Sequence, residues 1–239
     1  MRSSCTVGGR GQLGESALLA ALIFLIAGLP ARAQTAPAPP ARPAIDNRIP
    51  IAAVDARGTF AQLGQDAITA AGLFTGLSLT AADLPSKGFG LAGGAHVYPL
   101  RGRAWAFGVG AEAMFARTSF KPVDPATKQP TGDVFRRRLQ GVSAQLSMNF
   151  GHKAGWSYIT AGYGPMSFQS YLENAASAPD GASEKTLNYG GGARWFNTDH
   201  LAFTVDMRFY ATNPSNATLH TAARQRHTVL VMSAGLSIK

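Results

Sequence analysis

Apolar and polar residues alternate strictly between residues 187 and 212. In the second half of this stretch one set of alternate residues is apolar, namely Leu201, Phe203, Val205, Met207 and Phe209. The opposite set includes Asp206 and Arg208, and the first half, 187–196, alternates in the same way with Arg194 on its polar side. A period of two is typical of a β-strand with one apolar and one polar face. A short segment with Asn and Asp separates the two halves, so the stretch predicts a β-hairpin.

Six further segments of similar length continue the alternation. They are 52–63, 88–100, 104–117, 138–150, 156–168 and 227–239. Long and short connections follow one another between these eight predicted strands. An even number of strands, with long connections at one end and short turns at the other, is typical of transmembrane barrels. The pattern therefore predicts an all-β, eight-stranded antiparallel up-and-down transmembrane β-barrel. The facing of segment 156–168 stays open, because apolar residues occupy both of its sides.

Aromatic residues fall at both ends of the apolar faces. Those beside the short turns are Trp105, Phe150 and Trp195, and those beside the long connections are Phe60, Phe89, Phe115 and Phe209. Two aromatic girdles are what a bilayer crossing selects. This placement favours an apolar face that meets lipid and a polar face that lines the lumen.

The polar faces predict a network of charged and amide side chains inside the barrel. Its expected members are Arg57, Glu112, Gln145, Arg194, Asp206 and Arg208. Many of the residues between them are glycines, which leave room for long side chains in a narrow lumen. Because eight strands enclose an interior that side chains can fill, we expect a plug and not a wide pore.

The N-terminal region predicts export. Arg2 and Arg10 precede the apolar run 17–29, and Ala31-Arg32-Ala33 follows, which together are typical of a secretory signal peptide over residues 1–33. The single cysteine lies in this segment. Residues 34–50 are rich in Pro and Ala and predict a flexible periplasmic arm, and the barrel is expected over 51–239.

The net charge of the chain is basic. Loss of three arginines and one glutamate with the signal peptide lowers the formal charge from +9 to +7. Basic exported proteins meet nucleic acid, anionic lipid or acidic polysaccharide. No recognition helix or ribonucleoprotein-like aromatic motif is present, so we expect no nucleic-acid partner.

The hairpin also carries a resemblance. Residues 190–196 read GGGARWF, and after a short turn residues 201–209 read LAFTVDMRF. This arrangement resembles the small outer-membrane β-barrel family, the OmpA-type transmembrane domain. The resemblance implies residence in the bacterial outer membrane, insertion by the barrel-insertion machinery and a monomer with a structural, adhesive or interaction role. The chain departs from the family in ending on Lys239, where an aromatic is usual, and no peptidoglycan-binding domain is expected.

Several arginines lie at the strand ends next to long connections, and outer-membrane lipid is the partner that they suggest. They are Arg136, Arg137, Arg138, Arg224 and Arg226. One interpretation is solvated or snorkelling charge. The other is contact with lipopolysaccharide phosphates, which bidentate guanidinium groups suit.

Two alternative functions remain at this point. A soluble lipocalin-like barrel that binds a small apolar ligand requires the apolar faces to point inward. A barrel enzyme acting on lipid A requires a nucleophile with a histidine base. The five histidines form no His-x-Ser pair and show no metal-ligand spacing, so we expect no catalytic residue, cofactor or metal. They are His96, His152, His200, His220 and His227.

Overall fold

The computed structural model describes most of the chain after the predicted signal peptide. The described residues are 46–73, 79–124, 127–130, 132, 134–173, 183–217 and 222–239. The predicted signal peptide and most of the predicted arm lie outside the described residues, so both stay predictions.

Eight strands form a closed antiparallel barrel, which confirms the predicted fold class. They are β1 (Ala52–Gln62), β2 (Lys87–Arg101), β3 (Trp105–Phe120), β4 (Phe135–His152), β5 (Gly155–Leu172), β6 (Glu184–Phe196), β7 (Leu201–Thr212) and β8 (His227–Ile238). Each strand pairs with the next, and β8 pairs with β1 to close the sheet. The register shifts once, between Val97 and Leu100 of β2, beside Pro99, which has no N–H to donate to the ladder.

The outer surface of the barrel is apolar. Leu91, Ile159 and Val142 expose 69%, 60% and 54% of their surface, although each lies in the middle of a strand. A closed sheet pairs all its backbone groups, so such a surface fits a lipid solvent. The facing is the opposite of what a soluble lipocalin-like barrel requires, and that alternative is wrong.

The structure settles the facing of β5. Ile159 and Tyr163 point outward, whereas Trp156 and Tyr158 are buried inside the barrel. The inward aromatic rings fill the end of the lumen next to the short turns. There Trp156 packs edge-on against Tyr98, with ring centroids 6.2 Å apart.

The interior is filled in layers. The layer at the short-turn end consists of Ile49, Ala53, Tyr98, Ala106, Trp156 and Tyr158. The layer toward the long connections consists of Ala61, Leu63, Ala92, Met114, Ala116, Leu139, Met166, Phe168, Tyr210, Val229 and Val231. Charged and amide side chains occupy the space between these two apolar layers.

The residues just before β1 cover the short-turn mouth. The Tyr98 N–H donates to the Ile51 carbonyl at 2.8 Å, and the Lys153 N–H donates to the Asn47 carbonyl at 3.0 Å. Ile49 is only 1% exposed and packs into the apolar layer at the short-turn end. The end of the predicted arm thus contacts the barrel in the described residues 46–50.

The long connections carry short elements of their own. Helix α1 spans Ala67–Leu73, and a 3₁₀ turn spans Ala81–Asp83. Ala70 and Leu84 pack with Phe135 at the start of β4, which anchors this connection over the mouth of the barrel. No helix among the described residues is long and apolar enough to cross a membrane.

Candidate functional site

Arg57 on β1 lies at the centre of the lumen and contacts three carboxylates. Its Nε lies 2.7 Å from Asp55 Oδ1, and its Nη1 lies 3.1 Å from Asp206 Oδ1 on β7. Its Nη2 pairs with Glu112 on β3. Alternation places Asp55 and Arg57 on the same face of β1, and closure of the barrel brings β3 and β7 to them.

Two more arginines complete the ion-pair network. Arg208 on β7 lies 2.9 Å from Glu112 and 2.8 Å from Asp206, and Arg194 on β6 lies 2.9 Å from Asp55. The network therefore holds three guanidinium groups and three carboxylates, and their formal charges cancel. All six residues are at most 5% exposed. We call this set the lumen network: Asp55, Arg57, Glu112, Arg194, Asp206 and Arg208.

Tyrosine hydroxyls and a serine satisfy further atoms of the lumen network. The Tyr158 hydroxyl donates to Asp206 at 2.7 Å, and the Tyr210 hydroxyl donates to Glu112 at 3.1 Å. Arg194 donates to the Ser237 hydroxyl at 2.9 Å and lies over the Tyr158 ring at 4.4 Å. Buried charges are tolerated only when they are paired and hydrogen-bonded in this way.

Gln145, expected in the lumen, belongs to a neighbouring group of neutral polar residues. It donates to Ser143 at 2.6 Å and to Asn188 at 3.0 Å, and it accepts from Thr160 at 2.9 Å. A Cβ at Gly162 would overlap the Gln145 amide, so the glycine makes room for this side chain. At Gly192 a Cβ would lie 2.7 Å from the Tyr158 hydroxyl. These two inward glycines thus accommodate an amide and an aromatic ring.

All the site residues expected in the lumen are inside the barrel, and the structure adds members that the sequence did not single out. The additions that bond the charged groups directly are Asp55, Tyr158, Tyr210 and Ser237. Asp55 lies two residues before Arg57 on the same polar face of β1, so the alternation alone already placed it in the lumen. The tyrosines and Ser237 meet the network only through barrel closure.

The histidines occupy three kinds of place. His96 is 4% exposed in the lumen and stacks on Tyr98, with ring centroids 6.5 Å apart, while His152 and His200 lie exposed at the short turns. His227 Nδ1 lies 3.3 Å from the Thr212 hydroxyl near the other end of the barrel, and His220 lies outside the described residues. Across the described part of the chain, no group of three or more His, Cys, Asp or Glu residues could hold a metal ion.

Two of the arginines for which lipopolysaccharide contact was one interpretation point into the mouth of the barrel. Arg137 donates to the carbonyls of Leu63, Gly64 and Pro85 at 2.9, 2.6 and 2.9 Å. Arg224 donates to the carbonyls of Phe168 and Asn213, both at 2.7 Å, and lies 3.4 Å from Glu184. The Phe168 ring has Arg137 at 5.1 Å and Arg224 at 5.0 Å.

These contacts correct the expectation for Arg137 and Arg224. Arg137 is 1% exposed and Arg224 is 8% exposed, so neither can reach a lipid headgroup. The physical reason is the alternation of side chains along β4. The strand begins at Phe135, which points inward, so Arg137 also points inward and lies between two outward arginines. Both side chains fasten long connections to the barrel mouth.

The other three expected arginines lie on the surface. Arg136 and Arg138 face outward on β4, and Arg226 is exposed in the last connection. Arg136 forms an exposed ion pair with Glu173 at 2.5 Å. Arg117 on β3, which the sequence did not single out, lies directly opposite Arg138 on the same outer wall.

The fold is shared with solved outer-membrane proteins. Neisserial surface protein A, NspA, is 15% identical, with 79% of this chain and 96% of that chain covered and a TM-score of 0.51. Ail, the attachment invasion locus protein of Yersinia pestis, was solved with the heparin analogue sucrose octasulfate; it is 12% identical over 79% of this chain and 96% of that chain, with a TM-score of 0.43. Outer membrane protein AlkL, in lipid bilayers, is 12% identical over 85% and 96%, with a TM-score of 0.38.

No family model matches the chain, and no curated protein matches it in sequence. The assignment therefore depends on the closed eight-stranded barrel and on its apolar outer surface. Both are the features of a barrel whose solvent is lipid. The chain has the fold of the small eight-stranded outer-membrane β-barrels.

Proposed function

We propose that the protein is a non-conducting outer-membrane barrel that acts through its surface at the long-connection end, in a structural, adhesive or interaction role. The observation that carries the proposal is the filled lumen. The formal charges of the lumen network cancel, and the network lies between two apolar layers. Ile49 closes the mouth at the short-turn end. A solute would have to separate buried ion pairs to pass.

The barrel mouth at the long-connection end supports the same proposal. Asp66 accepts hydrogen bonds from the Thr69 hydroxyl at 2.8 Å and from the Gln225 N–H at 2.9 Å, so it joins the first and last long connections. Arg137 fastens the first of these connections to β4. Connections held in this way form an ordered surface over the barrel, which suits the recognition of a partner.

A conductance measurement tests the sealed lumen. The purified protein is reconstituted in a planar lipid bilayer, with a porin in the same lipid as the positive control. We expect no discrete conductance steps above the bare membrane. Regular steps from the wild-type protein would contradict the proposal and assign a channel function.

Cysteine labelling tests the orientation of the long connections. Thr127 lies in the connection between β3 and β4, and Lys153 lies at the short turn between β4 and β5. In a variant without Cys5, a cysteine in place of Thr127 should react with a membrane-impermeant maleimide on intact cells. A cysteine in place of Lys153 should react only after the outer membrane is opened. The reverse pattern would place the short turns outside and refute the orientation.

We also propose that the protein is not an enzyme and carries no cofactor. The lumen supports this because its carboxylates and arginines are committed to each other and to tyrosine hydroxyls. The Thr212 hydroxyl lies 3.3 Å from His227 Nδ1 but donates to the His227 carbonyl at 2.7 Å. Incubation with radiolabelled lipid A and phospholipid in mixed micelles should yield no deacylated product, and release of fatty acid would contradict the proposal.

A further inference from the structure

We propose that the outer wall of β2–β5, at the long-connection end, binds a phosphate group of lipopolysaccharide, with Arg117 and Arg138 as its principal ligands. This inference rests on the membrane orientation in the proposed function and is independent of whether the lumen conducts. It names a site where the sequence offered only a run of arginines.

Strand register brings the ligands together. Phe89 on β2 lies opposite Arg117 on β3, and Arg117 lies opposite Arg138 on β4. One row nearer the long connections, Arg136 on β4 lies opposite Tyr171 on β5. These side chains line an open groove with a volume of about 790 Å³ on the outside of the barrel.

The charge of the groove is incompletely compensated. Within the described residues, Arg136 pairs with Glu173, whereas no ion pair is formed by Arg117 or Arg138. The Arg138 guanidinium lies over the Phe115 ring, 5.3 Å from the ring centroid. In the lumen, by contrast, every arginine of the network meets a carboxylate.

The height of the groove matches a lipid headgroup. Phe150 of the short-turn girdle and Arg138 both face outward on β4, and twelve residues separate them (150 minus 138). At about 3.3 Å per residue and a tilt of roughly 40°, this separation spans about 30 Å along the barrel axis. The apolar band of such barrels is about 25 Å tall, so Arg138 lies just beyond it.

On β3 the wall changes from apolar to cationic within two residues, from Phe115 to Arg117. Leu91 and Phe115 lie opposite each other immediately below Phe89 and Arg117. Acyl chains can pack on the lower row while a phosphate meets the guanidinium groups above. Arginine suits this role because its planar fork binds phosphate oxygens in a bidentate manner. A soluble anion would gain nothing from the aromatic residues below.

A lipid-binding measurement tests the site. The full-length mature protein in nanodiscs of phosphatidylcholine is titrated with bisphosphorylated lipid A, and bound lipid is counted by native mass spectrometry. We expect the variant Arg117→Gln/Arg138→Gln to bind lipid A at least about tenfold more weakly than the wild type, since charge-assisted contacts of this kind are each worth about a factor of ten. Lipid A without phosphates should bind the wild type as weakly as lipid A binds the variant.

Control variants separate the site from general effects of charge and folding. Arg103→Gln/Lys153→Gln removes the same charge at the opposite rim and should bind like the wild type. Arg117→Lys/Arg138→Lys keeps the charge without the fork and should bind at an intermediate level. Each variant is used only after its unboiled and boiled forms show the mobility difference of a folded barrel.

Two results would overturn the proposal. Unchanged lipid A binding by Arg117→Gln/Arg138→Gln would remove these arginines from the site. Displacement of lipid A by an equal concentration of inorganic phosphate would assign the groove to free anions instead of lipid. Conductance plays no part in either readout, so failure here is distinguishable from failure of the sealed-lumen proposal.

Discussion

Arginines in two regions of this barrel have opposite surroundings. In the lumen, Arg57 lies within ion-pair distance of three carboxylates and is 2% exposed. On the outer wall, Arg117 is exposed and pairs with no acid among the described residues. Arg57 lies on β1 and Arg117 on β3, with β2 between them, and the same alternation turns one side chain inward and the other outward.

The difference shows what decides the role of a charged side chain in this fold. A buried arginine costs several kcal/mol to desolvate, so it is retained only where carboxylates and hydrogen bonds compensate it. Such an arginine stabilises the fold and has no capacity left for a ligand. An arginine at the lipid–water boundary has a small desolvation cost, and its guanidinium N–H groups can bind a ligand. The lumen is therefore a structural region, and the outer wall is the region for which we propose recognition.

Breaking the lumen network should have the largest effect. Arg208→Leu leaves Glu112 and Asp206 each without one of its cations, and removal of one member of a buried pair typically costs about 3–5 kcal/mol. Urea unfolding in phosphatidylcholine vesicles measures this loss. Met207→Leu, the outward neighbour, is the matched control and should change the unfolding free energy by less than about 1.5 kcal/mol. Equal losses for the two variants would mean that the ion pairs contribute nothing.

A charge on the lipid side should have the next largest effect. Val205 faces outward on β7 between Phe203 and Phe209, near the middle of the apolar band. Val205→Arg should lower the unfolding free energy in vesicles by about 2–4 kcal/mol, because the guanidinium meets hydrocarbon. Val205→Leu should be nearly silent in the same assay. A harmless Val205→Arg would indicate that this face contacts water.

The facing of the chain was largely predictable from the sequence, and the reason is the strict period of two. Alternation of Val205 and Met207 with Asp206 and Arg208 separated the two faces of β7, and the aromatic girdles favoured lipid on the apolar side. Segment 156–168 was different, because Trp156 and Tyr158 carry apolar surface that alternation alone assigns to either side. They lie inside because aromatic rings fill the mouth at the short-turn end. The need for rings at this mouth becomes visible only in the closed barrel.

The outer arginines show a second limit of the sequence. Assigning Arg137 inward needed the start of β4 at Phe135, three residues earlier than the alternation indicated. Grouping Arg117 with Arg138 needed the pairing register of β3 and β4, which periodicity does not contain. Hydrogen bonds from Tyr210 and Tyr158 to the lumen network likewise depend on which strands face each other across the barrel.

The contact between the first and last long connections should show a smaller effect that depends on pH. Burial alone would raise the pKa of Asp66, but hydrogen bonds from the Gln225 N–H, Thr69 and the Ile68 N–H outweigh it and lower the pKa below its ordinary value. The stabilisation is therefore present above about pH 4, the pKa of an unfolded aspartate, and is lost as pH falls through the lower folded pKa.

Asp66→Asn should lower the unfolding free energy at pH 7 by about 1–2 kcal/mol, because hydrogen bonds to a charged acceptor are lost. Urea unfolding at pH 7 and at pH 3 measures the effect, and the difference between variant and wild type should shrink at the lower pH. A difference that is the same at both values would mean that the Asp66 charge does not hold the connections.

The exposed ion pair on the outer wall should contribute least. Arg136 and Glu173 have side chains that are 37% and 42% exposed, so water screens their attraction. Glu173→Gln should change the unfolding free energy by less than about 1 kcal/mol. The same variant should leave Arg136 less compensated and so bind lipid A no more weakly than the wild type. A loss as large as that of Arg208→Leu would remove the distinction between the two regions.

The most direct test of that distinction compares Arg57→Met with Arg117→Met by urea unfolding in phosphatidylcholine vesicles free of anionic lipid. Both variants lose one guanidinium and gain the same side chain. We expect Arg57→Met to lower the unfolding free energy by about 3–5 kcal/mol, because three buried carboxylates lose a partner. Arg117→Met should change it by less than about 1 kcal/mol. Equal changes in the two variants would contradict a structural lumen and a recognition surface outside it.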